Sequence, residues 1–122
     1  MPLLDSRLFH AGHPNLLEAY FEDDPAHAAL GSSYVRKPLF SREGANVELI
    51  EQGRSVAEII DGGYGGGRWI RQALCNPPSF DGNHVIVGSW VVGDEAAGMS
   101  LREDTSLITR NTSRFLPHFI RD

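Results

Sequence analysis

The sequence is short of sulfur, of positive charge and of long apolar runs, and each shortage closes off a class of protein. Cys75 is the sole cysteine, so this chain can build neither an internal disulfide nor a four-cysteine zinc site. No apolar run approaches the length of about 18 residues that a membrane-spanning helix needs. Eleven Lys and Arg stand against 16 Asp and Glu, for a net charge of −5, and the basic footprint of a nucleic-acid binder is missing. The opening MPLLDSRLFHAGHPNLL has no basic n-region, so no signal peptide is expected and the cytoplasm is the default compartment. The glycine run DGGYGGG at 61–67 matches neither G-x-G-x-x-G nor the P-loop. It reads as a connector, with a flap over phosphates as the alternative.

What is present is an ordinary globular composition, 41% apolar and 22% charged. A chain of 122 residues buries roughly two-thirds of its unfolded surface as one domain, expected here over 1–122. Leu16, Leu17, Tyr20 and Phe21 recur at helical spacing after His13-Pro14, which predicts a helix that stops at Asp23-Asp24-Pro25. Strands are expected over 34–40, 47–50, 56–60, 69–74, 85–92 and 97–101, with turns at Gln52-Gly53-Arg54, Asp81-Gly82 and Gly93-Asp94-Glu95. Asn76-Pro77-Pro78 ends the fourth of these. The strand at 85–92 is the most apolar of the set, and coverage on both faces is expected for it. Trp69 and Trp90 fall within strands and read as core, and Cys75 reads as a buried structural thiol.

The chain is organised around Tyr34 to Val47, YVRKPLFSREGANV. A strand carries Lys37 against Pro38 and then breaks into the polar loop Ser41-Arg42-Glu43-Gly44-Ala45-Asn46. Pro38 biases Lys37 toward an extended backbone. Gly44 permits positive φ and close approach of a ligand. A cation on a stiff strand, facing a glycine-bearing loop, suits a polyanion such as a nucleotide phosphate. Read as structure alone, the same stretch is a solvated turn with two surface cations, and Arg42 can pair with Glu43.

KPLFSREGANV resembles the core motif of the glutathionylspermidine synthase family, whose synthetase portion has an ATP-grasp fold. The resemblance continues, in order, through HPNLLEAYFED (13–23), RQALCNPPSFDG (71–82), GSWVVGDEAAGMSLRED (88–104) and SLITRNTSRFLPHFI (106–120). It looks like the C-terminal third of that synthetase domain. The implied fold is α+β, an antiparallel or mixed sheet of about five or six strands with one or two packed helices. The implied activity is ATP-dependent carboxylate–amine ligation, with ATP and Mg²⁺ as cofactors and a glutathione-like acid and polyamine-like amine as substrates. The family's metal-binding residues are expected N-terminal of the part seen here, so the chain is expected to hold part of a nucleotide pocket and no catalytic residue. A complementary N-terminal chain or self-association would then complete it. The alternatives are a non-catalytic nucleotide-binding or subunit-interaction module, and an inactive truncated product.

An ATP-dependent ligase works mainly by positioning and charge neutralisation. The resemblance implies that Lys37 contacts the phosphates and that Glu43 and Gly44 lie on the loop against ATP. It implies that Arg71, Gln72, Ala73 and Leu74 line the adenine and ribose, read by backbone groups on an edge strand, although Arg71 replaces a Gln found in some members. Arg102 matches an Arg near the phosphates, and Leu107, Ile108 and Thr109 match a stretch bordering the nucleotide. His10 and His13 lack a third ligand of supporting spacing, so no metal site is expected from them.

Overall fold

The computed structural model describes residues 15–60 and 63–121. These form nine strands and one short helix, and the chain separates into two compact units at Cys75/Asn76. None of the described helices is long and apolar enough to cross a membrane.

The first unit is a five-stranded sheet of β1 (Ala19–Phe21), β2 (Tyr34–Pro38), β3 (Glu48–Glu51), β4 (Arg54–Glu58) and β5 (Trp69–Ala73), in the order β1-β5-β2-β3-β4. Every pairing is antiparallel. Gln52 and Gly53, at φ 50° and 76°, make the two-residue turn between β3 and β4, where the sequence places a hairpin. Side chains alternate across a strand, so the register sorts the residues by face. Lys37 lies opposite Ile70 and Val35 opposite Gln72, while Arg36 lies opposite Arg71 on the other side. Ala19, Leu49, Ile50 and Ile70 are buried in this sheet, and Ala45 is buried within the loop that follows β2.

The helix expected from His13 is not found in its described part. His13 and Pro14 lie outside the described residues, and Ala19–Phe21 is a strand against β5. Tyr20 and Phe21 favour extended backbone, and the hydrogen bonds of the sheet edge outweigh local spacing. The Glu18 carbonyl extends the pairing by accepting from the Ala73 N–H at 2.7 Å. Asp24-Pro25 starts a 3-10 helix, Pro25–Leu30, instead of ending an earlier one: Asp24 Oδ1 accepts from the Ala26 N–H at 2.9 Å.

The second unit is a four-stranded antiparallel sheet in the order β6 (Ser79–Phe80), β7 (Asn83–Val92), β8 (Glu95–Asp104) and β9 (Arg114–Leu116). Asp81-Gly82, at φ 49° and 78°, turns β6 into β7, as the sequence leads one to expect. Strands β7 and β8 form a hairpin of two ten-residue arms with a bulge at Trp90/Val91. Its outer half is not covered: Trp90 is 63% exposed and Val92 69%, with Val87 and Val91 also exposed. The expectation that this strand is covered on both faces, with Trp90 as core, therefore fails. A hairpin arm this long runs past the short β6 and β9, which have nothing to lay over its tip. Among the described residues of this unit, Ile108 is the one buried apolar side chain.

The architecture is mostly β, in two sheets, where one sheet of five or six strands with one or two helices was expected. Cys75, expected buried, is exposed, because it follows the end of β5 and sits at the division between the units.

Candidate functional site

Lys37 stands on the face of the first sheet that it shares with Ile70 and Gln72. Its Nζ donates to Gln72 Oε1 at 2.7 Å. Burial removes water from the ammonium and pulls its pKa below the ordinary lysine value. Among the described residues its partner is this neutral amide, and no carboxylate pairs with it.

The loop after β2 closes over the same place. Ser41 Oγ donates to the Ala45 carbonyl at 2.6 Å, and the N–H groups of Ala45 and Val47 donate to the carbonyls of Arg42 and Gly44. Glu43, Gly44 and Asn46 all take positive φ, at 57°, 77° and 55°. Gly44 accepts that conformation without strain, and Asn46 tolerates it better than most side chains do. Asn46 Nδ2 also donates to the Tyr64 carbonyl, and Trp69 Nε1 donates to the Gly65 carbonyl at 3.3 Å. The described part of the glycine run is thus fastened to the loop and to β5. Between loop and sheet lies a cleft of about 390 Å³, lined by Lys37, Pro38, Leu39, Val47, Ile70 and loop residues Ser41, Arg42, Glu43 and Gly44. That volume lies within the ordinary range for small-molecule sites, about 300–1,000 Å³.

Of the residues singled out in the sequence, Lys37, Glu43 and Gly44 line this cleft, and Gln72 joins them through its bond to Lys37. Arg71 does not, because it alternates with Gln72 onto the opposite face. There Arg36 donates to both Glu22 oxygens at 2.8 and 3.0 Å, and Arg71 donates to Oε1 at 3.0 and 3.2 Å. The Arg36 guanidinium holds the Glu22 carboxyl below its usual value, with Arg71 adding to the effect. Arg36 also covers the Trp69 ring at 4.0 Å, and Arg71 lies 4.7 Å from the Tyr34 ring centre. This cluster joins three strands and leaves Arg71 committed to Glu22. Strand β5 also lies between β1 and β2, so it is not the edge strand that backbone reading of a base requires. At Ala73 the backbone N–H is taken by the Glu18 carbonyl, and Leu74 follows the end of the strand.

The remaining four residues belong to the second unit. Arg102 on β8 donates through Nη2 to the Ser113 carbonyl at 3.2 Å and to the Arg110 carbonyl. Its Nε is buried without a partner. Leu107, Ile108 and Thr109 follow β8 in a loop that Asp104 organises. The Asp104 carboxylate accepts from Ser113 Oγ at 2.6 Å, from the Ser106 N–H at 3.0 Å and from Arg110 at 3.4 Å. The Ser113 hydroxyl leads in pulling its pKa down to about 2. A hollow of about 120 Å³ beside Asp104 and Arg110 falls well short of a small-molecule site.

Sequence reasoning missed Glu22 and Asp104. Both are single carboxylates whose partners lie far along the chain or across a loop, and nothing in local spacing marks them. Ile70 was visible as the alternate of Gln72, and Arg42 as the second cation of the loop.

The chain matches the family described as glutathionylspermidine synthase preATP-grasp over residues 3–121. It is 44% identical over 115 residues to a Haemophilus influenzae protein named "Putative acid--amine ligase", covering 90% of this chain and 29% of that one. It is 36% identical over 106 residues to trypanothione synthetase of Crithidia fasciculata, covering 87% of this chain and 16% of the relative. Against the bifunctional glutathionylspermidine synthetase/amidase of Escherichia coli the identity is 30% over 117 residues, covering 96% and 18%. The chain thus spans less than a third of the length of these relatives. The matching description names the preATP-grasp part of the synthase, which overturns the placement in the C-terminal third.

Proposed function

The chain belongs to the glutathionylspermidine synthase family, and from that premise we propose that it carries part of the ATP pocket of an ATP-dependent carboxylate–amine ligase. Lys37 is the phosphate-facing cation. The observation that carries this reading is a half-desolvated ammonium, held by a neutral amide at the floor of a 390 Å³ cleft beneath a glycine-bearing loop. An ammonium so placed keeps its charge for an incoming anion, and partial burial strengthens the attraction. Arg42 lies in the same cleft as a second cation. Gly44 at φ 77° turns the backbone close to the ligand. Gln72 and the end of β5 at Ala73 and Leu74 are the side on which the base would lie. In the second unit Arg102, Leu107, Ile108 and Thr109 are assigned to the nucleotide by resemblance, and Arg71 is the weakest assignment because Glu22 holds it on the other face.

Mg²⁺, which the resemblance implies, meets no matching donor set here. No three His, Cys, Asp or Glu side chains gather among the described residues, and Glu43 is the one carboxylate lining the cleft. The work assigned to this chain is binding, orientation and charge neutralisation. A glutathione-like acid and a polyamine-like amine are the substrates proposed for the complete ligase, on the names of the relatives, with the cytoplasm as the compartment. An ATP-grasp fold is part of the same proposal. A second reading, a subunit-interaction module without catalysis, is favoured by the exposed outer half of the β7–β8 hairpin.

Calorimetry with ATP, with and without Mg²⁺, tests the reading. Lys37→Ala should weaken ATP binding on the order of tenfold to a hundredfold, the loss of one charge-assisted hydrogen bond. Lys37→Arg should recover only part, because the guanidinium is larger and planar. Arg54→Ala, at the start of β4 on the exposed hairpin, should leave affinity unchanged. Equal ATP affinity in wild type and Lys37→Ala would make Lys37 an ordinary sheet lysine.

A further inference from the structure

We propose that Gln72 is a positioning residue for Lys37: its amide holds the ammonium at the cleft floor with the charge unneutralised, ready for an anion. The inference rests on the nucleotide reading above and names the group that makes Lys37 effective.

The register sets the pair up. Lys37 is opposite Ile70, and Gln72 is opposite Val35, so Lys37 and Gln72 are diagonal neighbours on one face of adjacent antiparallel strands. Long side chains reach across such a diagonal. An ammonium only donates, so the amide must turn Oε1 toward it, and the 2.7 Å bond fixes both side chains. Among the described residues no carboxylate pairs with the ammonium, although Glu43 lines the same cleft. On the same face β1 offers Ala19 and Phe21, β2 offers Val35, β3 offers Leu49 and β5 offers Ile70. The charged groups that face the cleft are Arg42 and Glu43 on the loop, and both are exposed.

The identity of the acceptor matters. A carboxylate at position 72 would form an ion pair, hold the proton on Lys37 more firmly and cancel the field that an anion is meant to feel. An apolar side chain would leave the ammonium with no acceptor at all. The amide avoids both: it orients the ammonium and leaves the net charge in place. Sequence resemblance places Gln72 along the base and ribose; the geometry gives its side chain a different task.

The experiment uses the 122-residue chain with Gln72→Glu and the near-isosteric Gln72→Met, two variants of closely matched volume. Two quantities are read on the same samples. One is the titration midpoint of Lys37, followed by NMR of labelled lysine and assigned by its loss in Lys37→Ala. The other is affinity for ATP and for inorganic tripolyphosphate. Gln72→Glu should raise the midpoint and Gln72→Met should lower it, and both should weaken each anion on the order of tenfold. A merely structural Gln72 predicts unchanged anion affinity in Gln72→Glu, since an ion pair holds the strands as well as an amide does; that result overturns the proposal. The two readings fail separately. If tripolyphosphate binds in a manner sensitive to position 72 and ATP binds no better, the nucleotide reading falls and the positioning role stands. If ATP binding depends on Lys37 but not on position 72, the positioning role falls and the nucleotide reading stands. If neither anion binds, both fall.

Discussion

Asp104 shows what one carboxylate does for a loop with almost no apolar support. It ends β8 and accepts from Ser113, Ser106 and Arg110, while among the described residues of this unit Ile108 is the one buried apolar side chain. Its pKa is held at about 2, against 3.8 ordinarily, chiefly by the Ser113 hydroxyl. A carboxylate held below its unfolded value contributes stability that is whole above the unfolded pKa and is lost as pH falls through the folded one. Stability of the second unit should therefore be flat above about pH 4 and decline toward pH 2 by on the order of 1–2 kcal/mol from this group. Ser113→Ala should remove a similar amount at neutral pH, with the difference shrinking as pH falls from about 4 through about 2. Denaturant titration followed by Trp90 fluorescence, at several pH values, measures both. A Ser113→Ala deficit that persists unchanged at pH 2 would assign the loss to the turn and not to the carboxylate.

At the scale of elements, the glycine run and the loop after β2 act on each other. Gly65 has φ 123°, and a Cβ there would lie 3.2 Å from the Trp69 ring and 3.5 Å from Asn46 Nδ2. Its carbonyl takes the Trp69 indole N–H. Gly65→Ala should thus strain the backbone and push Trp69 from beneath Arg36, at a cost of about 2–3 kcal/mol. A shift in Trp69 fluorescence should accompany the lowered melting midpoint. Gly53→Ala is the matched comparison: φ is 76° and nothing lies within 4 Å, so only the backbone term of about 1–2 kcal/mol applies, with Trp69 emission unchanged. Equal effects from the two substitutions would show that the run is not fastened to β5.

At the scale of the whole molecule, the outer half of the β7–β8 hairpin presents Val87, Trp90, Val91 and Val92 to solvent, and Met99 stands opposite Ser89 on the neighbouring arm. By strand alternation Val87 and Val91 share one face and Trp90 and Val92 the other, and apolar side chains exposed in this way mark an interaction site or an aggregation risk. The purified chain should self-associate in sedimentation or light scattering, and the double change Trp90→Ser with Val92→Ser should weaken association markedly. These side chains are exposed, so the folding stability of the unit should change by no more than about 0.5 kcal/mol. A monodisperse monomer at high concentration would run against this.

Much of the local structure was legible in order along the chain. Gly53 and Asp81-Gly82 turn the backbone where their residue types permit positive φ, and Asn76-Pro77-Pro78 stops a strand because proline cannot continue a ladder. Lys37 beside Pro38 reads as a strand that breaks into a glycine-bearing loop, and the structure has that strand and that loop. Tertiary structure decided the rest, for reasons that no local pattern contains. Whether Leu16 to Phe21 winds or extends depends on a partner 50 residues on, since β5 supplies the hydrogen bonds that make Ala19–Phe21 a strand. Which of two adjacent residues shares the face of Lys37 depends on pairing register: Gln72 reaches Lys37, and Arg71 turns to Glu22. Strand order made β5 an interior strand, and strand length left the tip of an apolar hairpin beyond the reach of its neighbours. Spacing and residue type act within a few residues; register, strand order and coverage are properties of contacts between segments, and only the folded chain fixes them.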